Sequence, residues 1–296
     1  MGRKLGAVCV AVGSVSTCTI WFPLGRCVRR VCQYDEKTII VAFCTQKEII
    51  LPGLIKVANT EDVWVHRGER MFMGLDLKPR GSVTIECIVN GPIGTNSYFM
   101  GSSGQWIVID PAWDGAALVE RFRAEHPGET LLGSVCTHGH ADHMGGVAGV
   151  RSSLGKSALY ALPAKDLGTV TQNIEEQRLM WGIDTPDAGA PTRLLVEGDS
   201  LTIGDALLQV MEVPGHTPGG VVLFAATLQG NVAFVGDTLF PGGHGRTDLS
   251  GGDDEAILDS LVRMGRDLPP STTCLIGHGP ATTIEAELSD NPFMHQ

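Results

Sequence analysis

The sequence predicts an α/β (α+β) fold in which two strand-rich halves pack sheet on sheet, with helices on the outside. Three observations predict it. From Val83 onward short apolar runs alternate with amphipathic stretches, a series of strands occurs twice in similar order, and several strands stop at a glycine followed by histidine or aspartate.

The elements follow in order along the chain. VTIECIVN and SYFM flank the turn-rich GPIGTN, as in a hairpin, and QWIVID forms a strand ending at Asp110-Pro111. GAALVERFRAEH has helical spacing and is closed by Pro127-Gly128. LLGSVCTH reads as a buried strand, HMGGVAGVRSSLG as a helix, SALYAL as a strand, and KDLGTVTQNIEEQRLMWG as a longer helix with charges on one side. TRLLVEGDSLTI and ALLQVMEV pair as one hairpin, VVLFAAT and VAFVGD as another. DDEAILDSLVRMG is a helix, and TTCLIGHG is a last strand before a short terminal helix.

Composition narrows the function. Of 296 residues, 43% are hydrophobic and 19% charged, which excludes fibrous and disordered classes. Charge is uneven: residues 1–80 hold 12 Lys and Arg against 7 Asp and Glu, net +5, whereas 81–296 hold 10 against 26, net −16. So acidic a body repels phosphate backbones, and no nucleic acid ligand is expected.

Residues 1–80 are set apart as an N-terminal region, and 81–296 as the functional domain. The upstream region holds Cys9, Cys18, Cys27, Cys32 and Cys44 and a small-residue apolar run after Lys4. That run is diluted by Ser, Thr and Gly, so no membrane span is expected. Three readings compete for the region: a targeting segment, an accessory region, or sequence upstream of the natural start, with Met71 or Met73 opening the rest. No CxxC pair occurs, and Cys87, Cys136 and Cys274 lie in apolar strand-like runs, which points to a cytoplasmic location; the apolar run leaves export or organelle targeting as the alternative.

The chemistry concentrates in THGHADH, residues 137–143, directly after a buried strand. His138, His140, Asp142 and His143 fall within six residues. Three imidazoles and a carboxylate on one tight turn repel or stay unsatisfied without a cation, so the segment is read as a metal site. Three more candidates sit beside glycine at strand ends: His216 in VPGHTPGG, Asp237 in FVGDTLF and His278 in LIGHGP. Each alone is as readily a turn or a helix cap. His66, His126 and His295 have no partners at matching spacing.

These residues, with GRTDLSGGD and the closing GHGPATTIEAELSDNPF, resemble the metallo-β-lactamase superfamily, and within it the glyoxalase II-like hydrolases; the likeness spans residues 83–294. The resemblance implies a four-layer αββα sandwich with the site at one edge of the two sheets. It implies two divalent metal ions, zinc in the first instance with iron or manganese as substitutes. His138, His140 and His216 would form one site, Asp142, His143 and His278 the other, and Asp237 would bridge them. Such a pair of ions lowers the pKa of water from 15.7 to about 7, giving a nucleophile at neutral pH without serine or cysteine. Asp142 would orient that nucleophile as well as bind metal. Asp110 is read either as holding the histidine loop or as a plain strand-end turn. In PGGHGRTD, Arg246 either pairs with Asp248 or, like His244, meets a substrate carboxylate.

The implied reaction is hydrolysis of a small-molecule acyl thioester or related ester, as in hydroxyacylglutathione hydrolases. Eighteen residues follow His278, without the helical C-terminal domain that contacts glutathione in full-length glyoxalase II, which implies a smaller or different acyl group. Two rivals remain. A persulfide dioxygenase with a single iron shares the GRTD segment, and a non-enzymatic binding protein would use the basic N-terminal region as its contact surface.

Overall fold

The computed structural model describes residues 74–182 and 184–295 in full, and within 1–73 the backbone of six strands. By its contacts the chain divides into two units, Met1–Phe72 and Met73–Gln296. In the first, β1 (Leu5–Cys9) pairs with β2 (Cys18–Phe22), while β3 (Arg30–Tyr34), β4 (Lys37–Phe43), β5 (Leu54–Lys56) and β6 (Val63–Arg67) form an antiparallel sheet in the order β3-β4-β6-β5. The readings offered for residues 1–70 otherwise lie outside the described residues.

The second unit holds two six-stranded sheets. The first contains β7 (Thr84–Asn90), β8 (Thr95–Ser102), β9 (Gln105–Ile109), β10 (Thr130–Val135), β11 (Leu159–Pro163) and β12 (Arg193–Leu195), in the order β12-β11-β10-β9-β8-β7. The second contains β13 (Ser200–Ile203), β14 (Ala206–Glu212), β15 (Val221–Thr227), β16 (Gly230–Gly236), β19 (Thr273–Ile276) and β20 (Thr282–Thr283), adjacent in that order. A two-stranded ribbon of β17 (Leu239–Phe240) and β18 (Gly243–His244) stands apart.

Side-chain alternation along the strands, period two, sorts residues into layers. Tyr98, Met100, Ile107 and Ile109 of the first sheet face Leu208, Val210, Leu223 and Phe234 of the second in one buried cluster. Tyr98 meets Phe234 edge-on at 5.4 Å, and its hydroxyl donates to the Ile276 carbonyl at 2.7 Å, tying the sheets together. The intervening residues face outward. Phe99, Trp106 and Val108 pack under Leu118, Val119 and Phe122 of α1 (Gly115–Glu125) and Val150 of α3 (Val147–Leu154). On the other side Val222, Phe224, Ala233 and Val235 pack under Leu261 and Met264 of α5 (Asp254–Asp267) and Ile284 of α6 (Ile284–Asp290). The result is the expected αββα sandwich.

Helix α5 shows why local sequence suffices for most elements. Ile257, Leu261 and Met264 recur on one face and are buried, while Asp253 caps the helix by accepting from the Glu255 and Ala256 amides. Leu75 packs against the outer cluster of the second sheet, and the Arg80 amide donates to the Ala226 carbonyl at 2.9 Å, so the segment before β7 is tied to the same unit.

Two expected elements are built differently. TRLLVEGDSLTI is two strands rather than one arm of a hairpin: β12 runs parallel to β11 in the first sheet, and β13 pairs antiparallel with β14 in the second. The chain crosses between sheets at a turn where Asp199 donates its amide to the Val196 carbonyl and accepts from the Val196 amide, with Gly198 at φ 76°. HMGGVAGVRSSLG is likewise split, into α2 (Ala141–Met144) and α3, because the Gly146 amide leaves the helix to donate to the Pro111 carbonyl at 2.7 Å. No helix among the described residues is long and apolar enough to cross a membrane.

Candidate metal centre

The candidate residues gather at one edge of the sandwich because strands of both sheets end there. Strand β9 delivers Asp110 and β10 leads through Thr137 into His138, Gly139 and His140, while α2 carries Asp142 and His143. The loop after β14 carries His216, β16 runs into Asp237, and β19 into His278. Rigid strand ends thus supply one or two side chains each.

Two groups result. Ligand atoms of His138, His140 and His216 lie within 4.8 Å of one another, as do those of Asp142, His143, Asp237 and His278. Asp237 faces both: its Oδ1 lies 3.3 Å from His143 Nε2, and its Oδ2 lies 3.5 Å from His278 Nε2 and 3.8 Å from His216 Nε2. Asp142 Oδ2 lies 3.3 Å from His143 Nε2 and 3.2 Å from His278 Nε2. Such close approach needs Gly277, where a Cβ would collide with the Asp237 carboxylate.

The Nε2 atoms of His138, His140, His143 and His216 and Oδ1 of Asp237 are buried with no hydrogen-bond partner. Five buried polar atoms converging without partners are costly unless something else satisfies them. Imidazole nitrogens and carboxylate oxygens in this arrangement are the donor set that divalent metals take, so the residues present fit a pair of such ions.

The opposite ring nitrogens are held by the protein. His143 Nδ1 lies 3.0 Å from Asp110 Oδ2, His138 Nδ1 3.0 Å from Thr137 Oγ1, and His216 Nδ1 2.7 Å from the Arg246 carbonyl. Asp110 also accepts from the Thr137 amide and hydroxyl, both at 2.7 Å. It adopts φ 50°, a left-handed conformation that costs a non-glycine residue about 1 kcal/mol or more. Asp110 thus bonds both to Thr137, at the start of the histidine loop, and to the His143 ring.

Burial, with the neighbouring imidazoles adding to it, pushes His138 well below the usual histidine range; burial followed by His216 brings His140 down to about 3. At His143 burial works the same way but is overcome by Asp237, Asp142 and Asp110, which hold the ring well above its usual range. His278 is raised to about 9: burial opposes the shift, and hydrogen bonds to Asp142 and Asp237 outweigh it. Burial also disfavours the ionised forms of Asp142 and Asp237, yet His143 keeps both well below the ordinary carboxylate range. The carboxylates of the second group thus favour positive charge on its imidazoles, the field suited to a cation.

Two residues bonded to the site loops carried no signal in the motifs. Asp166 is fully buried in a single 3₁₀ turn and accepts from the Gly139 amide (2.8 Å), the Thr217 hydroxyl (2.9 Å) and the Gly219 amide (2.6 Å). It joins the His138–His140 loop to the His216 loop. Position 219 must be glycine, since a Cβ there would lie 2.8 Å from Asp166 Oδ1. Burial raises the Asp166 pKa against the pull of these donors. Gln177, in α4 (Val170–Trp181), is hydrogen-bonded to Asp142. A polar residue on the buried face of α4 was the available clue, hidden because helical patterns are read from apolar spacing.

Arg246 and His244 are not drawn into either group. Arg246 Nε and Nη2 donate to Asp248 at 2.7 Å each, and the guanidinium lies 5.8 Å from the Trp181 ring centroid. His244 meets the Phe293 ring edge-on at 4.6 Å, with Nδ1 2.8 Å from the Gly245 carbonyl. His126, expected to have no role, stacks on Phe122 and lies tilted against Trp106, beside Glu86.

Residues 90–278 match the family model described as Metallo-beta-lactamase superfamily. The chain is 34% identical over 206 residues to the probable metallo-hydrolase YqgX of Bacillus subtilis (strain 168), a match covering 69% of this chain and 94% of that protein. It is 32% identical over 189 residues to the hydroxyacylglutathione hydrolase GloC of Haemophilus influenzae, covering 64% and 86% respectively. Among solved structures it is similar to the BLEG-1 B3 metallo-beta-lactamase, with a TM-score of 0.65 and 34% identity over 72% of this chain and 100% of that one. Sandwich, strand-end His and Asp groups and family match agree: the chain belongs to the metallo-β-lactamase superfamily of metal-dependent hydrolases.

Proposed function

We propose that this protein hydrolyses a small acyl thioester in a reaction like that of hydroxyacylglutathione hydrolases. The observation that carries the reading is the pair of His/Asp groups meeting at Asp237, supported by the similarity to GloC. His138, His140 and His216 would hold one divalent ion and Asp142, His143 and His278 a second, with Asp237 placed between the two groups. Zinc is the first choice, with iron or manganese as substitutes. Bound there, the ions supply Lewis acidity at the scissile carbonyl and a water acidic enough to attack at neutral pH. The protein's own groups do the rest. Asp142 Oδ2, facing His278, would orient the attacking water. Asp110 and Thr137 keep two of the rings in the tautomer that leaves Nε2 free. Arg246, already paired with Asp248, contributes to substrate binding only by exchanging that partner for a substrate carboxylate.

The test is thiol release from a panel of S-acyl glutathiones and smaller acyl thioesters, with a β-lactam and an aryl ester alongside. Thioester turnover lost with chelator and restored by metal is expected. Oxygen consumption with glutathione persulfide, and no thiol release from any thioester, would transfer the assignment to a persulfide dioxygenase.

A further inference from the structure

The Asp142 carboxylate has two oxygens and only one faces the other candidate ligands. Oδ2 lies near His143 and His278, whereas Oδ1 is taken up at 2.7 Å by Nε2 of Gln177, 35 residues along the chain. The same Gln177 accepts the Asp142 backbone amide at 3.0 Å through Oε1. Both side chains are buried. The two bonds fix the orientation of the glutamine amide. A backbone N–H can only donate, so Oε1 must face it, and Nε2 is left to donate to the carboxylate.

We infer that Gln177 is the positioning residue that clamps Asp142 at backbone and side chain together, reserving Oδ1 so that Oδ2 is directed at the second metal position and the attacking water. The inference rests on the hydrolase reading above. Its physical basis is that α2 spans only four residues, Ala141–Met144, and that the other contacts of the Asp142 carboxylate, to His278 and His143, both fall on Oδ2, so Gln177 alone holds Oδ1. Gln177 comes from the longer α4, whose buried residues are the polar Asn173 and Gln177. The burial of the Gln177 amide is matched by the two hydrogen bonds it makes to Asp142. Deleting such a supporting hydrogen bond typically costs 10- to 100-fold in metal affinity or activity.

The experiment compares the full-length wild type with Gln177→Met, which keeps length and removes both hydrogen bonds, and Gln177→Glu, which keeps the acceptor for the Asp142 amide and removes the donor. Metal-free protein is titrated with Co2+, each equivalent is followed by visible absorption, and kcat and KM are then measured on the thioester the wild type turns over. The first equivalent should bind as in wild type; the second should bind about 10- to 100-fold more weakly. We expect kcat to fall by about tenfold with KM held within about twofold, since the interaction serves the reacting groups rather than substrate binding. Where Gln177→Met fails to fold, Gln177→Glu decides. Second-ion affinity and kcat within about twofold of wild type, or equal weakening of both ions, overturns the inference. A wild type that takes up no second ion, or turns over no thioester, instead fails the hydrolase reading before Gln177 enters.

Discussion

Replacing Asp166 with alanine should unfold the protein at lower temperature and loosen the first group of histidines. Its carboxylate accepts from two backbone amides, Gly139 and Gly219, and from the Thr217 hydroxyl, all in the interior. Alanine leaves both amides buried without partners, at about 1–3 kcal/mol each, while the hydroxyl can rotate to another acceptor. Part of that cost is returned because a carboxylate no longer has to be desolvated, an effect that already raises the Asp166 pKa. A net loss of about 3 kcal/mol is a reasonable centre, and for a unit of this size, Met73–Gln296, it corresponds to a fall in Tm of about 6–12 °C. The effect must also be local. Gly139 separates His138 from His140, and Thr217 follows His216, so binding of the first ion should weaken by tenfold or more. Differential scanning calorimetry and metal titration of the variant read both quantities. A Tm within about 2 °C of wild type, with first-ion affinity unchanged, would refute the argument that Asp166 joins the two loops.

Asp237→Ala should reduce both ions together, whereas His216→Ala should reduce the first selectively and His278→Ala the second; elemental analysis after gel filtration distinguishes these patterns. Metal loading should release protons unequally. In the metal-free protein His143 is held well above its usual range and His278 at about 9, so both carry protons at pH 7 that an incoming ion must displace, whereas His138 and His140 are already neutral. Affinity of the second group should therefore fall as pH drops from about 9 toward 7, while loading by His138 and His140 should change little over that range; calorimetry in buffers of different ionisation enthalpy measures the difference. A shorter chain starting at Met71 or Met73 keeps Leu75, Arg80 and every candidate ligand, and should fold, bind metal and retain turnover. An insoluble or metal-free product beside a soluble full-length protein would show that residues 1–70 belong to the fold.

Much of this architecture is legible in the sequence because strands and ligands each leave a short-range mark. The short continuous apolar runs VVLFAAT and VAFVGD give the β15–β16 hairpin, and the glycine beside each of His216, Asp237 and His278 marks the turn where a side chain is presented. What escapes is set by long-range contacts. TRLLVEGDSLTI has continuous strand character, and only the turn at Val196–Asp199 sends its halves to different sheets. Asp166 and Gln177 have ordinary neighbours in sequence; their partners lie 27 to 53 residues away, so nothing nearby separates them from solvent-facing polar residues. In α4 the fully buried residues are the polar Asn173 and Gln177 while Leu179, Met180 and Trp181 are exposed, against what helical patterning assumes.

The central claim is a two-ion centre built from seven named side chains. It is tested most directly by a crystal structure of the metal-loaded protein with anomalous scattering recorded at the absorption edge of the bound metal. Two peaks about 3.5–4 Å apart are expected, one against His138, His140 and His216, the other against Asp142, His143 and His278, with Asp237 in contact with both. A single peak at full metal loading, held without Asp142, His143 or His278, would contradict it.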